Sequence, residues 1–407
     1  MRGKSNEVSE ARIRRCSVEL RSISYVQAYQ VSAGCDVDQH VVVIAVCKSG
    51  QPDVEVREFT QDEKSALQAV QWLLNRNAEI VILESTAKYH LLYYETFREA
   101  GLNVQVINPR LIKSLLAVEG KSDKADAFNM ARLAMSFQLR VSNMADKSQK
   151  EMRLNLRALD KDKERRTQLT NSLQSLLTEY GCTIYRLIKV NSVSGRLIAQ
   201  AIAYTELDSK QIVLQSWKGA KSKQVALINA LGSIHELPDY VRLEIGQGLE
   251  EIEYRNRLIE TREQRAYSHI GKFQLGSQVH WMTTAPAVNE MLALRIIAES
   301  GANFWERYYS AQAFAKALGV APAIRISGGK QLRAKRSHGN IYVKRHMLNA
   351  VKGWLMTTPI THPLKQRNLQ YRDRAGFNRS VSATANKIAQ ALWHMGKRGE
   401  YYNPQTR

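Results

Sequence analysis

Four acidic residues in the first third of the chain have the type and spacing of a metal site. Asp36 lies within one short apolar run and Glu84 ends another, while Asp123 and Asp126 are three residues apart. The three-residue spacing places both carboxylates on one face of a helix. Strand ends that face a helix N-terminus bring four acids to one point, where like charges repel unless a cation lies between them.

Such a site predicts an enzyme that cleaves a phosphodiester bond. Oxygen-only ligands suit Mg²⁺ or Mn²⁺ better than Zn²⁺. Two such ions about 4 Å apart activate a water or hydroxyl and stabilise the leaving oxygen in phosphodiester cleavage. Each acid alone also has a structural interpretation, and Asp123 is a candidate N-cap. The four acids together favour the metal site.

The elements that must hold these acids are predicted from residue patterning. Three strand-like segments come first and can pair as a meander, and strand and helix patterns then alternate. This order predicts a mixed five-stranded α/β sheet with helices on its faces. The predicted strands are Val31–Val37, Val41–Cys47, Asp53–Phe59, Glu79–Leu83 and Asn103–Ile107, and the predicted helices are Asp62–Asn75, Leu91–Ala100, Arg110–Val118 and Asp123–Phe137.

Strand signals fade from about residue 145 to residue 275. Apolar residues recur at heptad-like spacing in Leu156–Tyr180 and again in Leu243–Ala266. Two such amphipathic helices predict an antiparallel coiled-coil arm, with ordinary bundle packing as the alternative. Beyond residue 280 the pattern is mostly helical to about Lys397, apart from a basic loop with glycines at Arg325–Asn340.

Positive charge is concentrated in the last quarter of the chain. The 407 residues include 59 Lys and Arg against 38 Asp and Glu, which gives a net charge of +21. Residues 307–407 hold nineteen of the basic residues and only two of the acidic ones. Such a cluster attracts phosphates over a long range. The pattern therefore predicts a nucleic-acid partner in preference to a merely basic surface or a membrane.

Composition excludes several other classes of protein. Hydrophobic residues make up 44% and charged residues 24%, which is typical of a folded globular chain. No apolar run reaches the roughly 20 residues that a membrane span requires, and the N-terminus has no apolar signal-peptide core. Four cysteines without a CxxC motif argue against a disulfide scaffold or a zinc knuckle, and Cys35 and Cys47 are predicted core residues. We expect a soluble cytoplasmic protein.

Four short motifs occur in an order that resembles a known family. They are Gly34-Cys35-Asp36-Val37-Asp38, Leu83-Glu84-Ser85-Thr86-Ala87-Lys88-Tyr89-His90, Val106-Ile107-Asn108-Pro109 and Lys121-Ser122-Asp123-Lys124-Ala125-Asp126-Ala127. The chain resembles the insertion-sequence transposases that include the Piv DNA invertase. Their N-terminal domain is RuvC-like (RNase H-like) and carries four catalytic, metal-binding acids called DEDD. The resemblance implies that this set falls on Asp36, Glu84, Asp123 and Asp126. Asp38-Gln39 and Thr86-Ala87 depart from the family pattern without removing a ligand.

The C-terminal part resembles the second domain of the same family. Phe314–Pro322 leads into Ile326-Ser327-Gly328-Gly329-Lys330 and then Gly339-Asn340. The family's serine in this loop is understood to attack DNA, and this role maps onto Ser327. Two glycines let backbone N–H groups approach a phosphate, and nearby cations would balance charge on the phosphorane. The resemblance implies a covalent serine–DNA ester, with a surface turn that grips phosphate as the alternative.

Two departures from the family pattern bear on this second domain. Ser337 is a rival nucleophile, because the downstream motif is altered to Lys335-Arg336-Ser337-His338-Gly339-Asn340. Ala287 stands where the family usually has glycine, in a helix-hairpin-helix-like turn. This change predicts a weaker minor contact to the DNA backbone.

Other residues of the basic segment have two interpretations each. His338 and His346 are candidate phosphate contacts or proton shuttles. Trp305, Tyr308 and Tyr309 either stack on bases or form a helix packing face. The predicted nucleic-acid-binding residues are Arg325, Lys330, Arg333, Lys335, Arg336, Lys344 and Arg345.

These patterns and the resemblance predict a site-specific recombinase of double-stranded DNA, either a transposase or an invertase. In relatives a structured noncoding RNA is thought to choose target and donor, so the resemblance also implies a guide RNA; we expect a homo-oligomer, a dimer or a tetramer. A RuvC-like metal-dependent nuclease and a non-catalytic basic nucleic-acid-binding protein are the alternatives. The predicted organisation is an extension at 1–30, a RuvC-like domain at 31–140, a helical coiled-coil region at 141–280, a mostly α transposase domain at 281–398 and a tail at 399–407.

Overall fold

A computed structural model describes most of the chain from residue 29 onward. The described residues are 29–51, 53–85, 88–107, 122–136, 144–232, 234–322, 325–327, 330–332 and 339–404. The predicted helix at Arg110–Val118 and nearly all of the predicted extension lie outside them. The chain divides into two compact units, residues 1–144 and residues 145–407, and each is described by itself.

The first unit is built on a five-stranded mixed sheet. Its strands are β1 (Val31–Val37), β2 (Val41–Lys48), β3 (Val54–Thr60), β4 (Ile80–Glu84) and β5 (Val104–Ile107). They lie in the order β3-β2-β1-β4-β5, in which β2 runs antiparallel to both of its neighbours and β4 runs parallel to both of its own. The predicted meander followed by alternating strands and helices is therefore confirmed.

Among the described residues of this unit, three helices cover the faces of the sheet, namely α1 (Glu63–Leu74), α2 (His90–Glu99) and α3 (Asp123–Ser136). Side chains alternate between the two faces along each strand. Cys35 and Ile44 therefore face α1 and α2, with which they share one buried core. Ala45 and Ile82 point to the opposite face, where they pack beneath α3. The sheet is thus apolar on both sides, which explains why its strands are predicted well from apolar content.

The second unit begins with five helices, which are α4 (Lys147–Glu179), α5 (Val193–Tyr204), α6 (Ser209–Ser216), α7 (Gln224–Leu231) and α8 (Asp239–Lys272). The two long helices α4 and α8 run antiparallel, because Lys272 Nζ pairs with Glu151 at 2.6 Å while Arg166 donates to Asn256 at 3.0 Å. The shorter helices share a separate core with the far ends of these two. The pairing of two long helices agrees with the sequence, whereas regular coiled-coil packing stays a prediction.

Seven helices and a short hairpin complete the second unit. They are α9 (Gly276–Thr283), α10 (Glu290–Ser300), α11 (Phe304–Arg307), α12 (Ala311–Ala317), β6 (Arg325–Ser327), β7 (Lys330–Leu332), α13 (Ile341–Thr357), α14 (Pro363–Ala375) and α15 (Phe377–Arg398). Their core includes Phe304 and Phe314, whose rings stack at 4.4 Å, and it extends onto Met152 and Leu159 of α4. The mostly helical character predicted for this part is confirmed.

The hairpin corrects one prediction. The sequence predicts an irregular loop over Arg325–Asn340, but β6 and β7 pair antiparallel from Arg325 with Leu332 to Ser327 with Lys330. Strands of three residues are too short to show an alternation of apolar and polar residues. The glycines and charged residues of this segment therefore predict a loop instead. Within the described stretches, no helix is both long and apolar enough to cross a membrane.

Candidate functional site

The sheet brings the first two predicted acids side by side. Strands β1 and β4 are parallel neighbours, and their register pairs Cys35 with Leu83. Asp36 and Glu84 are the next residue on each strand. Because Ile80 and Ile82 pack on the α3 face, the alternation of side chains directs Glu84 to that face as well. Two acids from different strands thus reach the same end of the sheet on the same side.

Helix α3 lies along β1 in a fixed register. Ser32 Oγ donates a buried hydrogen bond of 2.7 Å to the carbonyl oxygen of Ala131, and Gly34 lies directly beneath Ala127. Each step of two residues along a strand covers about 6.7 Å, and each step of four along a helix covers about 6 Å. Because Ser32 lies opposite Ala131 and Gly34 opposite Ala127, the same register places Asp36 opposite Asp123.

The start of α3 leaves its two carboxylates available to the site. Ser122, rather than Asp123, acts as the cap, because its Oγ accepts a hydrogen bond of 3.2 Å from the backbone N–H of Ala125. The N-cap interpretation of Asp123 is therefore wrong. Asp123 is exposed and Asp126 is half-buried, as expected for the rim and the wall of an open site. The partial positive charge of the helix N-terminus also favours negative groups there.

The electrostatic environment of Asp36 includes the other three acids. Burial is the largest of the effects that raise the pKa of Asp36 to about 7. Negative charge on the other three acids, which are Glu84, Asp123 and Asp126, raises it further. A backbone hydrogen bond from Val37 acts in the opposite direction but does not outweigh them. Burial and the neighbouring negative charge together therefore disfavour ionisation of Asp36.

This cluster has the donor chemistry of a divalent cation site without being a closed cage. Among the described residues, no group of three or more His, Cys, Asp or Glu side chains stands close enough to hold an ion as placed. The donors are nonetheless all carboxylates, which hard cations such as Mg²⁺ prefer. A cation would also remove the repulsion that raises the pKa of Asp36. The residues present fit such an ion.

The predicted nucleophile lies at the turn of the β6–β7 hairpin. Ser327 pairs with Lys330, so only Gly328 and Gly329 separate the two strands. Arg325, Ser327 and Lys330 are thus brought close in the backbone. The other predicted residues of this loop, Arg333, Lys335, Arg336, Ser337 and His338, lie outside the described residues.

Two glycines form the neck of the serine-bearing loop. A Cβ on Gly339 would collide with the backbone N and Cα of Gly319 and would lie 2.7 Å from the carbonyl oxygen of Lys316. Gly319 itself has a φ of 77°, which disfavours any residue with a side chain. The next residue, Asn340, donates its N–H to the carbonyl of Ala317 at 2.7 Å. The two ends of the loop therefore meet at a point with no room for side chains.

Asn340 also connects the loop to a buried acid. Its Oδ1 caps α13 by accepting hydrogen bonds from Tyr342 at 3.0 Å and Val343 at 3.2 Å. Its Nδ2 donates to Glu299 at 2.7 Å, and Arg157 donates to the same carboxylate twice at 2.8 Å. Burial opposes ionisation of Glu299, but the bonds from Arg157 and Asn340 prevail and lower the pKa of its carboxyl. This network could not be predicted from the sequence, because its members are distant in the chain.

A second network involves residues that the sequence assigns to phosphate. His346 Nε2 lies 2.9 Å from the buried carboxylate of Asp160, which also accepts a hydrogen bond of 2.8 Å from Arg295. Arg345 pairs with Glu164 and lies 3.7 Å from Asp160. These side chains join α13 to α4. Lys344 is half-buried on the same helix.

The aromatic residues of α11 and its surroundings divide between two roles. Trp305 and Tyr308 pack against the buried core, as the helix packing interpretation predicts. Tyr309 is 81% exposed and stays available for stacking. Cys35 and Cys47 are buried, which confirms their assignment to the core.

The turn between α9 and α10 shows the effect of a missing glycine. Ala287 has a φ of 62°, in the left-handed region that glycine adopts without strain. We expect Ala287→Gly to raise the free energy of unfolding by about 0.5 kcal/mol, because relief of roughly 1–2 kcal/mol of strain exceeds the added chain entropy. Urea denaturation measures this change. The matched control is Ala350→Gly within α13, which should lose about 1 kcal/mol. A decrease in the free energy of unfolding of Ala287→Gly would contradict the inference that the backbone of Ala287 is strained.

Both parts of the site lie in segments similar to known proteins. Residues 33–182 match a DEDD-type family model described as a transposase, and residues 279–365 match a model described as "Transposase IS116/IS110/IS902 family". The chain is similar to the transposase for insertion sequence element IS1111A of Coxiella burnetii (strain RSA 493 / Nine Mile phase I), with 23% identity over 314 residues and 76% of each chain covered. The four acids fall in the first matched segment and Ser327 in the second. A DEDD-type domain implies a divalent metal ion.

Proposed function

Because the chain belongs to the IS110 family of transposases, which cleave and rejoin DNA, we propose that it is a site-specific recombinase with two catalytic parts. One part is the acid cluster of the first unit, and the other is Ser327 of the second unit. The observation that carries this proposal is the convergence of four carboxylates around Asp36, whose pKa rises to about 7 through burial and the three neighbouring acids. A purely structural surface has no reason to bring four acids together.

The acids have one role in this mechanism. Asp36, Glu84, Asp123 and Asp126 would hold Mg²⁺ or Mn²⁺. When bound, such an ion supplies Lewis-acid stabilisation of charge on the scissile phosphate and the leaving oxygen. Asp36 and Glu84 are held by paired strands, and the other two acids by a helix that packs on the same sheet. Secondary structure rather than a loop would therefore hold these acids near the ion.

Ser327 supplies the nucleophile. Its Oγ attacks the scissile phosphorus, so that an Oγ–P bond forms, the P–O3′ bond breaks, and the serine proton is transferred to a general base. The 3′ oxygen leaves as a hydroxyl after it takes up a proton. A 3′ hydroxyl of the partner strand then attacks the phosphoserine ester and releases Ser327, which conserves the energy of the phosphodiester. Arg325 and Lys330 flank the serine in the hairpin and balance the added negative charge.

Three further features complete the proposal. A structured noncoding RNA guides the choice of DNA site, and the basic last quarter binds nucleic-acid backbone. The active species is a homo-oligomer, a dimer or a tetramer. The enzyme acts in the cytoplasm on nucleoid DNA. The antiparallel helices α4 and α8 form a coiled-coil arm in this assembly.

A metal-dependent nuclease that uses water is the second candidate. It is favoured by one observation, namely that all four acids lie within a single unit. Such an enzyme would cleave DNA without a covalent intermediate, and Ser327 would be dispensable.

Trapping of the covalent intermediate distinguishes the two candidates. Wild-type protein incubated with cognate DNA and Mg²⁺ should form a protein–DNA adduct that survives denaturing electrophoresis. Ser327→Ala should abolish it, because alanine has no nucleophilic oxygen. Ser337→Ala is the matched control in the same loop and should retain the adduct. An adduct that persists in Ser327→Ala but disappears in Ser337→Ala would assign the nucleophile to Ser337, and cleavage without an adduct would favour the nuclease.

Binding of the ion is tested without catalysis. Saturating Mg²⁺ should raise the melting temperature of the wild type, because a ligand at about 100 times its Kd stabilises by about 2.7 kcal/mol. Asp126→Asn should remove most of this increase, and it should stabilise the metal-free protein slightly by relieving repulsion. Asp38→Asn is the control, because Asp38 is exposed and lies just beyond β1. Equal metal responses of the two variants would overturn the assignment.

A further inference from the structure

A cleft of about 160 Å³ opens between α14, α15 and the C-terminal segment 400–403. Nearly all of it lies beyond residue 365, where the second family match ends. The cleft is separate from the acid cluster and from the hairpin that carries Ser327. Its lining includes an apolar floor, an aromatic wall and a cationic rim, together with the polar residues Gln390, His394 and Asn403.

The floor is built by apolar side chains of α14 and α15. Ile388 and Met395 are almost fully buried, and Leu364 and Ala391 are half-buried beside them. A cavity of about 150 Å³ with an apolar lining accommodates a ring of the size of benzene. The floor therefore suits a flat apolar ring, whereas a free phosphate would make no favourable contact with it.

The wall is a segment held in place at two points. The N–H of Tyr402 donates to Thr284 at 3.1 Å, and its ring packs against the core of the second unit. The ring of Tyr401 lies edge-on to His280, with 5.9 Å between centroids. Tyr401 is nonetheless 61% exposed, so much of its ring is open to a ligand. Aromatic faces of this kind stack on nucleobases with little dependence on sequence.

The rim carries positive charge from both helices. Arg367 of α14 and Lys387 of α15 line the cleft and are exposed, and neither pairs with a carboxylate of the described residues. Arg398 also lines it, and its Nη1 lies 3.9 Å from Glu400 between two exposed side chains. Exposed pairs of this length contribute little, so Arg398 stays available to an anion. Glu400 is the one acidic residue of the lining and opposes the binding of an anion.

We propose that this cleft binds one unpaired nucleotide of a nucleic-acid strand, with its base on the apolar floor against Tyr401 and its phosphate at Arg367 and Lys387. The combination of ring-sized apolar floor, open aromatic face and cationic rim matches a nucleotide and no smaller anion. A base within a duplex is stacked on both sides and cannot enter, so the cleft selects single-stranded or extruded nucleotides. The inference rests on the proposed function, because a recombinase melts or distorts its DNA and its RNA partner contains loops.

The first test compares single-stranded with duplex binding by the full-length protein in EDTA, so that no cleavage occurs. The probes are a 12-nucleotide DNA strand, the RNA of the same sequence and the matching DNA duplex. The double variant Arg367→Ala/Lys387→Ala should lose at least about tenfold more single-strand affinity than Arg374→Ala/Lys397→Ala. This control removes two exposed cations from the same helices outside the cleft. Equal losses of single-strand affinity in the two double variants would overturn the proposal. Whichever strand, DNA or RNA, binds the wild type more tightly identifies the source of the nucleotide.

The second test removes the base instead of the protein side chain. Wild-type protein should bind a strand with normal bases at least about tenfold more tightly than an abasic strand of the same length. Tyr401→Leu should reduce this ratio and leave the affinity for the abasic strand unchanged. Glu400→Gln should strengthen the binding of both strands. An abasic strand that binds the wild type equally well would overturn the proposal.

The two proposals fail in different ways. A wild-type protein that binds duplex but not single strands would overturn the nucleotide cleft, while adduct formation by Ser327 would still support the recombinase. Loss of the adduct in all conditions, together with intact single-strand selectivity, would overturn the recombinase mechanism and leave the cleft. A wild-type protein that binds no nucleic acid would overturn both.

Discussion

Substitution of Gly34 by alanine is expected to separate α3 from the sheet and to abolish DNA cleavage, although no acidic residue is changed. A Cβ at this position would collide with the carbonyl oxygen of Ala127 and would lie 2.6 Å from the backbone N of Ala131. Both atoms belong to the helix backbone, so no side-chain rotation relieves the overlap. Overpacking of this kind costs about 3 kcal/mol or more. The helix must then shift, and Asp123 and Asp126 shift with it.

Two measurements check this expectation. Urea denaturation should show a loss of about 3 kcal/mol, and saturating Mg²⁺ should no longer raise the melting temperature as in the wild type. Gly248→Ala is the control for the chemical change itself, because Gly248 lies within α8 with no atom within 4 Å of an added Cβ. That variant should be more stable than the wild type by about 0.5–1 kcal/mol. A normal magnesium response in Gly34→Ala would show that α3 does not need this close approach.

The first unit could be predicted from sequence because its signals are local. The strands are apolar on both faces and the helices have a single apolar face, so the order of elements follows from residue patterning. The alternation of side chains along β1 and β4 then places Asp36 and Glu84 together. What the sequence did not reveal is the reason that α3 lies so close, since Gly34 has the appearance of an ordinary strand interruption.

The polar networks of the second unit could not be predicted. Asp160 stands in a charged stretch of a heptad-like helix, where such residues usually face solvent. Its burial depends on Arg295 and His346, which are more than 130 residues away in the chain. Glu299 has a similar dependence on Arg157 and Asn340. Burial of these charged side chains depends on how the helices pack. The residue pattern of a single sequence does not show which distant residues come into contact.

The basic loop shows a different limit of sequence reasoning. By resemblance to the family, its glycines and cations predict a phosphate-binding segment, but the motif does not show why Gly339 must be a glycine. Gly339 is required by the close approach of Gly319, whereas Gly328 and Gly329 lie outside the described residues. The structure thus gives Gly339 a packing role that the sequence motif alone does not indicate.

Substitution of Gly339 by alanine is therefore expected to eliminate the covalent serine–DNA adduct while the acid cluster still binds its ion. The new Cβ would collide with the backbone of Gly319 and would lie 2.7 Å from the carbonyl oxygen of Lys316. Relief requires that the neck opens, which breaks the bond from Asn340 to Ala317 and moves the base of the hairpin that carries Ser327. A displacement of about 1 Å reduces a rate about 100-fold when the nucleophile must be aligned.

The adduct assay and the magnesium melting assay together identify this effect. Gly339→Ala should lose the adduct and about 2 kcal/mol of stability, and yet its melting temperature should rise with Mg²⁺ by as much as that of the wild type. Gly353→Ala is the matched control, because Gly353 lies in the following helix α13 with no atom within 4 Å of an added Cβ. It should keep the adduct and gain stability. If Gly339→Ala formed the adduct at the wild-type rate, the neck would not position Ser327, and alignment of the serine would have to come from the DNA or from another subunit.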